Sequence, residues 1–527
     1  MGPSREQNID SSAPPRDLGS FDLVVVGGGI NGVGIARDAA GRGLSVLLCE
    51  KDDLAEGTSS RSSKLVHGGL RYLERLEFRL VREALSEREI LLAAAPHIIR
   101  PLRFILPHSA EQRPAWMISL GLFLYDHLGR HMTLPATQSL DLAVAPEGAP
   151  LRKVFRRGFE YSDCSVDDAR LVVLNALDLQ KRGGTIRLRT PLVAARREQN
   201  EWLVDLVDSR TGEALCARGR ALVNAAGPWV EDIRRRAGDD LDSRVRLVKG
   251  SHIVTRKLWA GDHAYLLQNT DGRVIFVTPF EGDFCLVGTT DIPFEGDAGK
   301  VEIAPDEVDY LRAAVNRYFV IELGPTDVLA SYSGVRPLYD DKAANPSAVT
   351  RDYVFDIDAP DGGAPLLSVF GGKITTYRTL AEHALEKLAP FFPEMGGTWT
   401  RSAVLPGGVL PESDPVRFSE ELARRTPWLP SRVAADYGRR YGTRADDLLR
   451  GASSLADLGR HFGAAFYERE ARFLIEEEWA RTADDILTRR TKHVLHLSRS
   501  ERADFETWLA GLGMDRPRSV PEGSARN

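Results

Sequence analysis

The chain predicts an α/β protein, with a nucleotide-binding domain on a largely parallel sheet and a separate helical domain behind it. Three observations carry this prediction. A glycine-rich turn, Gly27-x-Gly29-x-x-Gly32, stands between an apolar run and a helical one in DLVVVGGGINGVGIARDAAGRGLSVLLCEK, residues 22–51. Short apolar strands alternate with helical stretches up to about residue 390, the order of a doubly wound sheet. Past FFPEMGGTW the pattern changes to Arg- and Glu-rich segments with apolar residues three or four apart, as in EREARFLIEEEWARTADDILTRRTKHVLHL, which is the spacing of amphipathic helices.

A chain of 527 residues is too long for one hydrophobic core. We divide it into a flexible tail over 1–20, a domain of discontinuous subdomains over 21–390, a helical domain over 400–515 and a second tail over 516–527. The composition, 43% hydrophobic and 27% charged, is that of an ordinary globular protein. With 69 basic against 75 acidic residues there is no electrostatic case for nucleic acid. Cys49, Cys164, Cys216 and Cys285 lie far apart and form no C-x-x-C pair, so neither a disulfide framework nor a metal site is expected, and a reducing, cytosolic setting fits. The first twenty residues lack the apolar core of a secretory signal.

No apolar run reaches the ~20 residues of a spanning helix. The longest, WMISLGLFLY over 116–125, has Arg113 before it and Arg130 and His131 after it. Two readings stand: a buried helix, or one lying in a single leaflet with its cations against phosphate.

The remaining elements follow in order. SVDDARLVVLNALDLQKRGG predicts a helix capped by Ser165 or Asp167 and ended by Gly183-Gly184. Strands follow in TIRLRT, EWLVDLVD and GRALVNAAG. Residues 272–291 predict a hairpin turning at Glu281-Gly282-Asp283, so an antiparallel layer is mixed in.

In the glycine-rich turn, Gly27 permits the tight exit from the strand, Gly29 lets a pyrophosphate approach the backbone, and Gly32 lets the helix pack on the strand. The helix N-terminus supplies N–H groups and partial positive charge. Glu50, eighteen residues past Gly32 at the end of the second strand, is placed to accept from a ribose diol and to repel the extra phosphate of NADP. The next segment, TSSRSSKLVHGGLRYL over 58–73, is dense in hydroxyls and glycines. Ser59 and Ser63 there suit a ribityl chain and pyrophosphate, and Gly68 and Gly69 suit a flat ring passing close; an ordinary Ser-rich loop is the competing reading. No second G-x-G-x-x-G exists, so one dinucleotide is expected.

Beyond this point the chain resembles the FAD-dependent, respiratory glycerol-3-phosphate dehydrogenases. The likeness is carried by GGGINGVGIARDAAGRGLSV, TSSRSSKLVHGGLRYLE, RPAWMISLGLFLYDHLG, RRGFEYSDCSVDDARL, VNAAGPWV, KGSHIV, SYSGVRPL, AVTRDY and FGGKITTYRTLAEHALEKL, in order from Gly27 to Leu388, and RTADDILTRRTK extends it into the helical region. The resemblance implies a Rossmann-like FAD-binding domain of the D-amino-acid-oxidase type, a mixed-sheet substrate layer and a C-terminal helical cap. It implies oxidation of sn-glycerol 3-phosphate to dihydroxyacetone phosphate, with electrons passed from FAD to membrane quinone. It further implies a homodimer in monotopic contact with the cytoplasmic face of the inner membrane, and raises 116–125 to a membrane-dipping helix.

A dianionic substrate needs fixed cations, and arginine suits phosphate through its planar fork. Motif context singles out Arg71 in GGLRY, Arg336 in SGVRP, Arg351 in VTRDY and Lys373 in FGGKITTY, with His252 in GSHIV and Tyr72 adding polar contacts. Arg71 is expected to grip phosphate, and Arg336 and Lys373 to stabilise the developing alkoxide. For Arg351, an ion pair with Asp352 or Asp291 is a rival role. His252 is either the base that takes the alcohol proton as hydride leaves for the flavin, or a core histidine that orients another group. Gly371 and Gly372 precede a helix beginning near Thr375, whose N–H groups suit the flavin N1 and C2 oxygen. Cofactor contacts are also expected at Ala226 and Gly227 in NAAGPW, and the resemblance adds Ile30, Asn31, Thr58, Leu65 and Ile374. The alternatives are a glycerol-3-phosphate oxidase using oxygen and a non-catalytic FAD-binding redox sensor.

Overall fold

The computed structural model describes residues 14–129, 133–198, 200–239, 245–339 and 352–513. It divides into two compact units, Met1–Leu405 and Pro406–Asn527.

The first unit holds two sheets. One is the nucleotide sheet, with strands in the order Val354–Asp358, Leu366–Phe370, Ala214–Asn224, Arg16–Val26, Val46–Cys49 and Thr185–Arg187. Four of the five pairings along that order are parallel, and Leu23, Val24 and Val25 are fully buried, as expected where helices cover both faces. The hairpin of Leu192–Glu198 and Glu201–Val207 joins Ala214–Asn224 antiparallel. Helix Ile30–Gly41 follows the first strand, and helix Asp168–Lys181 is capped by Asp167, whose carboxylate accepts from the Arg170 N–H. Of the two caps expected, Asp167 is the one used.

The second sheet is mixed and larger, and Val245–Arg256 lies next to one end of its strand order. That strand pairs antiparallel with Phe284–Gly288 and with Ala330–Tyr339. The expected hairpin is present as Val274–Phe280 and Phe284–Gly288, with positive φ at Glu281 and Gly282 in its turn. His252, Gly288 and Phe276 stand side by side across three strands.

Three boundaries differ from the sequence expectation. The first strand begins at Arg16, inside the expected tail, because residues 16–20 pair with Leu215–Arg218 of the neighbouring strand. The first unit runs to Leu405 rather than 390: Trp399 donates to the Asp38 carbonyl of the first helix, and the Leu405 N–H to the Ala94 carbonyl. In the second unit the expected continuous helical pattern breaks after helix Glu468–Glu477, where Trp479 takes a positive φ, and Asp485–Arg490 winds as a π-helical turn. That unit packs helices Pro415–Arg425, Ser431–Tyr441, Glu468–Glu477 and Arg499–Gly511 around one apolar core. A two-stranded hairpin, His461–Gly463 with Phe466–Tyr467, interrupts them.

The four cysteines are free, three of them buried, and burial pushes the Cys49 thiol up to about 12. Among the described residues no helix is long and apolar enough to cross a membrane.

Candidate active site

The nucleotide cradle is built by what side chains would obstruct. Gly27 has φ +117°, and a Cβ there would stand 2.5 Å from the Ala225 carbonyl oxygen. A Cβ on Gly32 would stand 1.9 Å from the Gly27 carbonyl oxygen. Both exceed what any rotamer change relieves, so the strand–turn–helix passage requires glycine at these two positions. The Ile30 N–H donates to Ser59 Oγ at 2.9 Å, so Ser59 caps the first helix at the point where a pyrophosphate would lie. At the far side, Glu50 accepts from the Gly28 N–H at 2.6 Å and the Asp52 N–H at 2.8 Å, one on each oxygen. Burial pushes the Glu50 carboxyl up to about 7 against the pull of those two donors. Each oxygen keeps a lone pair for a hydroxyl donor, which is the chemistry a ribose diol needs. The cradle therefore fits a dinucleotide.

Two remote segments join the cradle. Ala225 and Ala226, just past the end of the central strand Ala214–Asn224, lie directly against Gly27, and Gly227 opens the 3₁₀ turn that follows. Asn31 Nδ2 donates to the Gly371 carbonyl at 3.1 Å, and Gly372, at φ +97°, lies so close that a Cβ would reach Asn31 Nδ2 at 2.7 Å. The next residues form a 3₁₀ turn, Ile374–Thr376, before helix Tyr377–Leu388. The expected helix start near Thr375 is thus a turn that feeds the helix.

The Ser-rich loop is not an open hydroxyl rack. Thr58 Oγ1 donates to the Val335 carbonyl at 2.6 Å, and Ser63 Oγ lies 2.9 Å from His252 Nε2. Ser63, expected to face the cofactor, is paired with the histidine and keeps one further hydrogen-bonding position. Leu65 begins a short strand paired with Ser165. The His67 N–H donates to Thr375 Oγ1 at 3.2 Å, and the Gly68 N–H to Tyr125 Oη at 2.8 Å. Gly69 is left-handed and opens the turn that carries Arg71 and Tyr72.

The expected cations fall in two places. The Lys373 ammonium lies 4.2 Å from the Tyr72 ring centroid, so these two belong to one corner of the site. Arg71 makes a long contact, 3.5 Å, to the Gly272 carbonyl. Arg336 lies one strand away from His252 on Ala330–Tyr339, forms an ion pair with Asp291, and reaches Thr289 Oγ1 at 3.4 Å. Arg351 lies outside the described residues; among the described ones, Asp291 pairs with Arg336 and Asp352 with Arg79.

His252 is buried, and its ring stacks on Tyr332 at 4.8 Å between centroids. Burial first, then Arg336 and Lys64, hold its pKa well below the ordinary histidine value, so the imidazole is neutral at pH 7. It accepts a proton only transiently and gives it up easily. Lys64 and Tyr332 are site residues that motif reading missed. The Lys64 ammonium is locked to both Asp168 oxygens at 2.9 Å and lies 5.1 Å from the Tyr332 ring. Lys64 and Asp168 both stand in motifs quoted for the resemblance, but nothing in either motif says that they meet.

Helix Ala115–Leu128 resolves the two readings of the apolar run residue by residue. Leu122 and Tyr125 are buried, whereas Trp116, Met117, Leu120 and Phe123 are exposed, Trp116 by 66% and Phe123 by 56%. One face is core and the other is an apolar surface.

Comparison with known proteins bears on this geometry. Residues 22–378 match the family model for FAD dependent oxidoreductases, and 398–504 match that for the C-terminal domain of alpha-glycerophosphate oxidase. The chain is 60% identical over 489 residues to a D-erythritol 1-phosphate dehydrogenase of Brucella abortus, covering 93% of this chain and 97% of that one. It is 53% identical to a glycerol-3-phosphate dehydrogenase of Pseudomonas aeruginosa, over 96% and 98% of the two chains. It is 50% identical to the aerobic glycerol-3-phosphate dehydrogenase of Escherichia coli, over 94% and 98%. Among solved structures, a glycerol-3-phosphate dehydrogenase of Bacillus halodurans complexed with FAD superposes with TM-score 0.73 at 27% identity, over 93% and 94% of the chains.

Proposed function

From the premise that this chain belongs to the FAD-dependent oxidoreductase family and takes FAD as its cofactor, we propose that it oxidises sn-glycerol 3-phosphate to dihydroxyacetone phosphate. One observation carries the reading. Asn31 of the nucleotide helix holds Gly371 and abuts Gly372, and the next residue, Lys373, projects its ammonium over Tyr72. A fixed cation therefore stands within two residues of the nucleotide cradle, where an oxyanion formed beside the flavin would be stabilised.

FAD, when bound, supplies the hydride acceptor. The chain's own residues do the rest. Arg71 binds the phosphate, Lys373 and Arg336 hold the substrate oxygen as it loses its proton, and His252 takes that proton because burial keeps it neutral and able to accept. Asp291 limits Arg336 to partial positive influence, so Lys373 carries the larger share.

D-erythritol 1-phosphate is a second reading, favoured by the 60% identity to the Brucella enzyme. It offers the same terminal phosphate and a secondary alcohol on a chain one carbon longer. An anaerobic titration with each substrate, followed by fading of the flavin absorbance, tests both. Bleaching by glycerol 3-phosphate at lower concentration supports the first reading, and the reverse order supports the second. Bleaching by neither returns the protein to the non-catalytic alternative. Peroxide released in stoichiometric yield during turnover would mark an oxidase instead.

For the electron acceptor we propose membrane quinone, reached from the cytoplasmic side by monotopic contact. The apolar face of Trp116, Met117, Leu120 and Phe123 supports this, since such a face is costly in water and favoured in a leaflet.

A further inference from the structure

The segment that delivers Arg71 and Tyr72 closes a turn of its own, with the Tyr72 N–H donating to the Gly69 carbonyl at 2.8 Å, but it is also held from outside that turn. Its backbone is pinned at Gly68, where a Cβ would stand 2.4 Å from Leu85 Cδ2 and 2.6 Å from Tyr125 Oη. The Gly68 N–H is buried there and donates to Tyr125 Oη at 2.8 Å and, more weakly, to Asp163 Oδ1 at 3.2 Å. The Tyr125 hydroxyl in turn donates to the Asp163 carboxylate, 2.8 Å from either oxygen. Asp163 is anchored by the wholly buried Arg88, whose Nη1 lies 2.9 Å from Oδ1 and 2.8 Å from the Ser162 carbonyl. Burial and the Asp163 charge push the Tyr125 hydroxyl far above its ordinary pKa, so it stays a donor.

A buried carboxylate and guanidinium are expensive to maintain, and apolar residues of similar volume commonly serve a core as well. Their place matters. One residue before Gly68, His67 is tied to Thr375, and three and four residues after it stand Arg71 and Tyr72, the latter beneath Lys373. The pin therefore lies between the two ties that bring the substrate cations together. Tyr125 also stands on the buried side of the helix whose other side carries Trp116, Leu120 and Phe123.

We propose that Tyr125 and Asp163 are positioning residues for substrate, acting through the Gly68 N–H to set where Arg71 and Tyr72 stand opposite Lys373. This rests on the substrate reading above. Neither residue needs to touch substrate. A displacement of about 1 Å at a binding group is enough to cost one to two orders of magnitude.

Tyr125→Phe in the FAD-loaded protein is the test, because it keeps the ring and removes only the hydroxyl. The expected result is an apparent KM for the polyol phosphate raised about tenfold, equivalent to about 1.4 kcal/mol, with kcat changed less than twofold and flavin content unchanged. Amide hydrogen exchange over 67–75 should also quicken. Tyr161→Phe, in the same apolar cluster and packed edge-on to Tyr125, should move neither. Asp163→Asn, which keeps an acceptor for Gly68, should raise KM less than Tyr125→Phe, provided it retains flavin. An unchanged KM in Tyr125→Phe, or an equal rise in Tyr161→Phe, would overturn the proposal. If wild-type flavin is bleached by neither polyol phosphate, the substrate reading fails by itself, and the exchange measurement still decides whether Tyr125 orders the segment.

Discussion

In the nucleotide cradle most working groups lie between Gly27 and Ser59, and most are backbone. In the substrate layer, His252 meets Ser63 across 189 residues and His67 meets Thr375 across 308. The two regions share a boundary at Gly371–Gly372 but are built by opposite means. The cradle is shaped by the absence of side chains, so its failures are steric and remove the cofactor. The substrate layer is shaped by charged side chains on a rigid mixed sheet, so its failures are chemical and leave the cofactor in place.

Substitutions sharpen that contrast. Gly32→Ala should do the most damage, since its methyl carbon would meet the Gly27 carbonyl at 1.9 Å. We expect protein purified with little or no flavin, read from the ratio of visible to ultraviolet absorbance; full flavin content would erase the distinction between the regions. Lys373→Met should come next, with flavin retained and kcat/KM lowered about 10³-fold, the loss of about 4 kcal/mol of transition-state stabilisation. Loss of flavin in that variant would move Lys373 into the cradle. His252→Asn should lower kcat about 10²-fold, within the range for one general base. Because His252 is neutral well below its ordinary pKa, the wild-type kcat profile should show no acid limb near pH 6.5; a limb there would mean that another group takes the proton.

Smaller effects follow. Replacing Trp116, Leu120 and Phe123 together by Ser should release the protein from anionic vesicles while dye-linked activity stays within twofold, as a flotation assay would show. An acid at Leu122, by contrast, would be buried in the core and would report on folding alone. The smallest effect belongs to Glu50. Its folded carboxyl sits near 7 rather than the usual 4.5, so the folded, flavin-free protein holds a proton that the unfolded chain has released. That contribution is fully present below about pH 4.5 and lost as pH rises through 7. Thermal unfolding of the flavin-free protein should therefore show about 2 kcal/mol less stability at pH 8 than at pH 5, a difference that Glu50→Gln should flatten.

Local signals read correctly at several turns and caps, and less well at element ends such as Arg16 and Thr375. Gly27 and Gly32 were assigned roles that their clashes explain, Asp167 was one of two caps named, and Glu281-Gly282-Asp283 was the turn. Polar side chains were legible by motif but not by partner. Ser63 was assigned to the cofactor and stands against His252. Arg336 was expected to stabilise the alkoxide, and its pairing with Asp291 was not legible. Tyr125, lying in a run read only for its apolarity, carries a hydroxyl bonded to Gly68 and Asp163.

The amino-acid sequence by itself determined the α/β class, the dinucleotide turn, the acid at the second strand's end and the presence of cations suited to phosphate. The turn and its acid depend on one strand–turn–helix–strand passage, where spacing dictates geometry, and the cations are legible from the short motifs that carry them. Tertiary structure alone decided which side of helix Ala115–Leu128 is core, which cation stands over Tyr72, and that Lys64 and Asp168 neutralise one another beside His252. Those outcomes depend on which surfaces meet when two sheets fold together, and a charge or hydroxyl carries no record of its partner until that packing brings the two within a few ångströms.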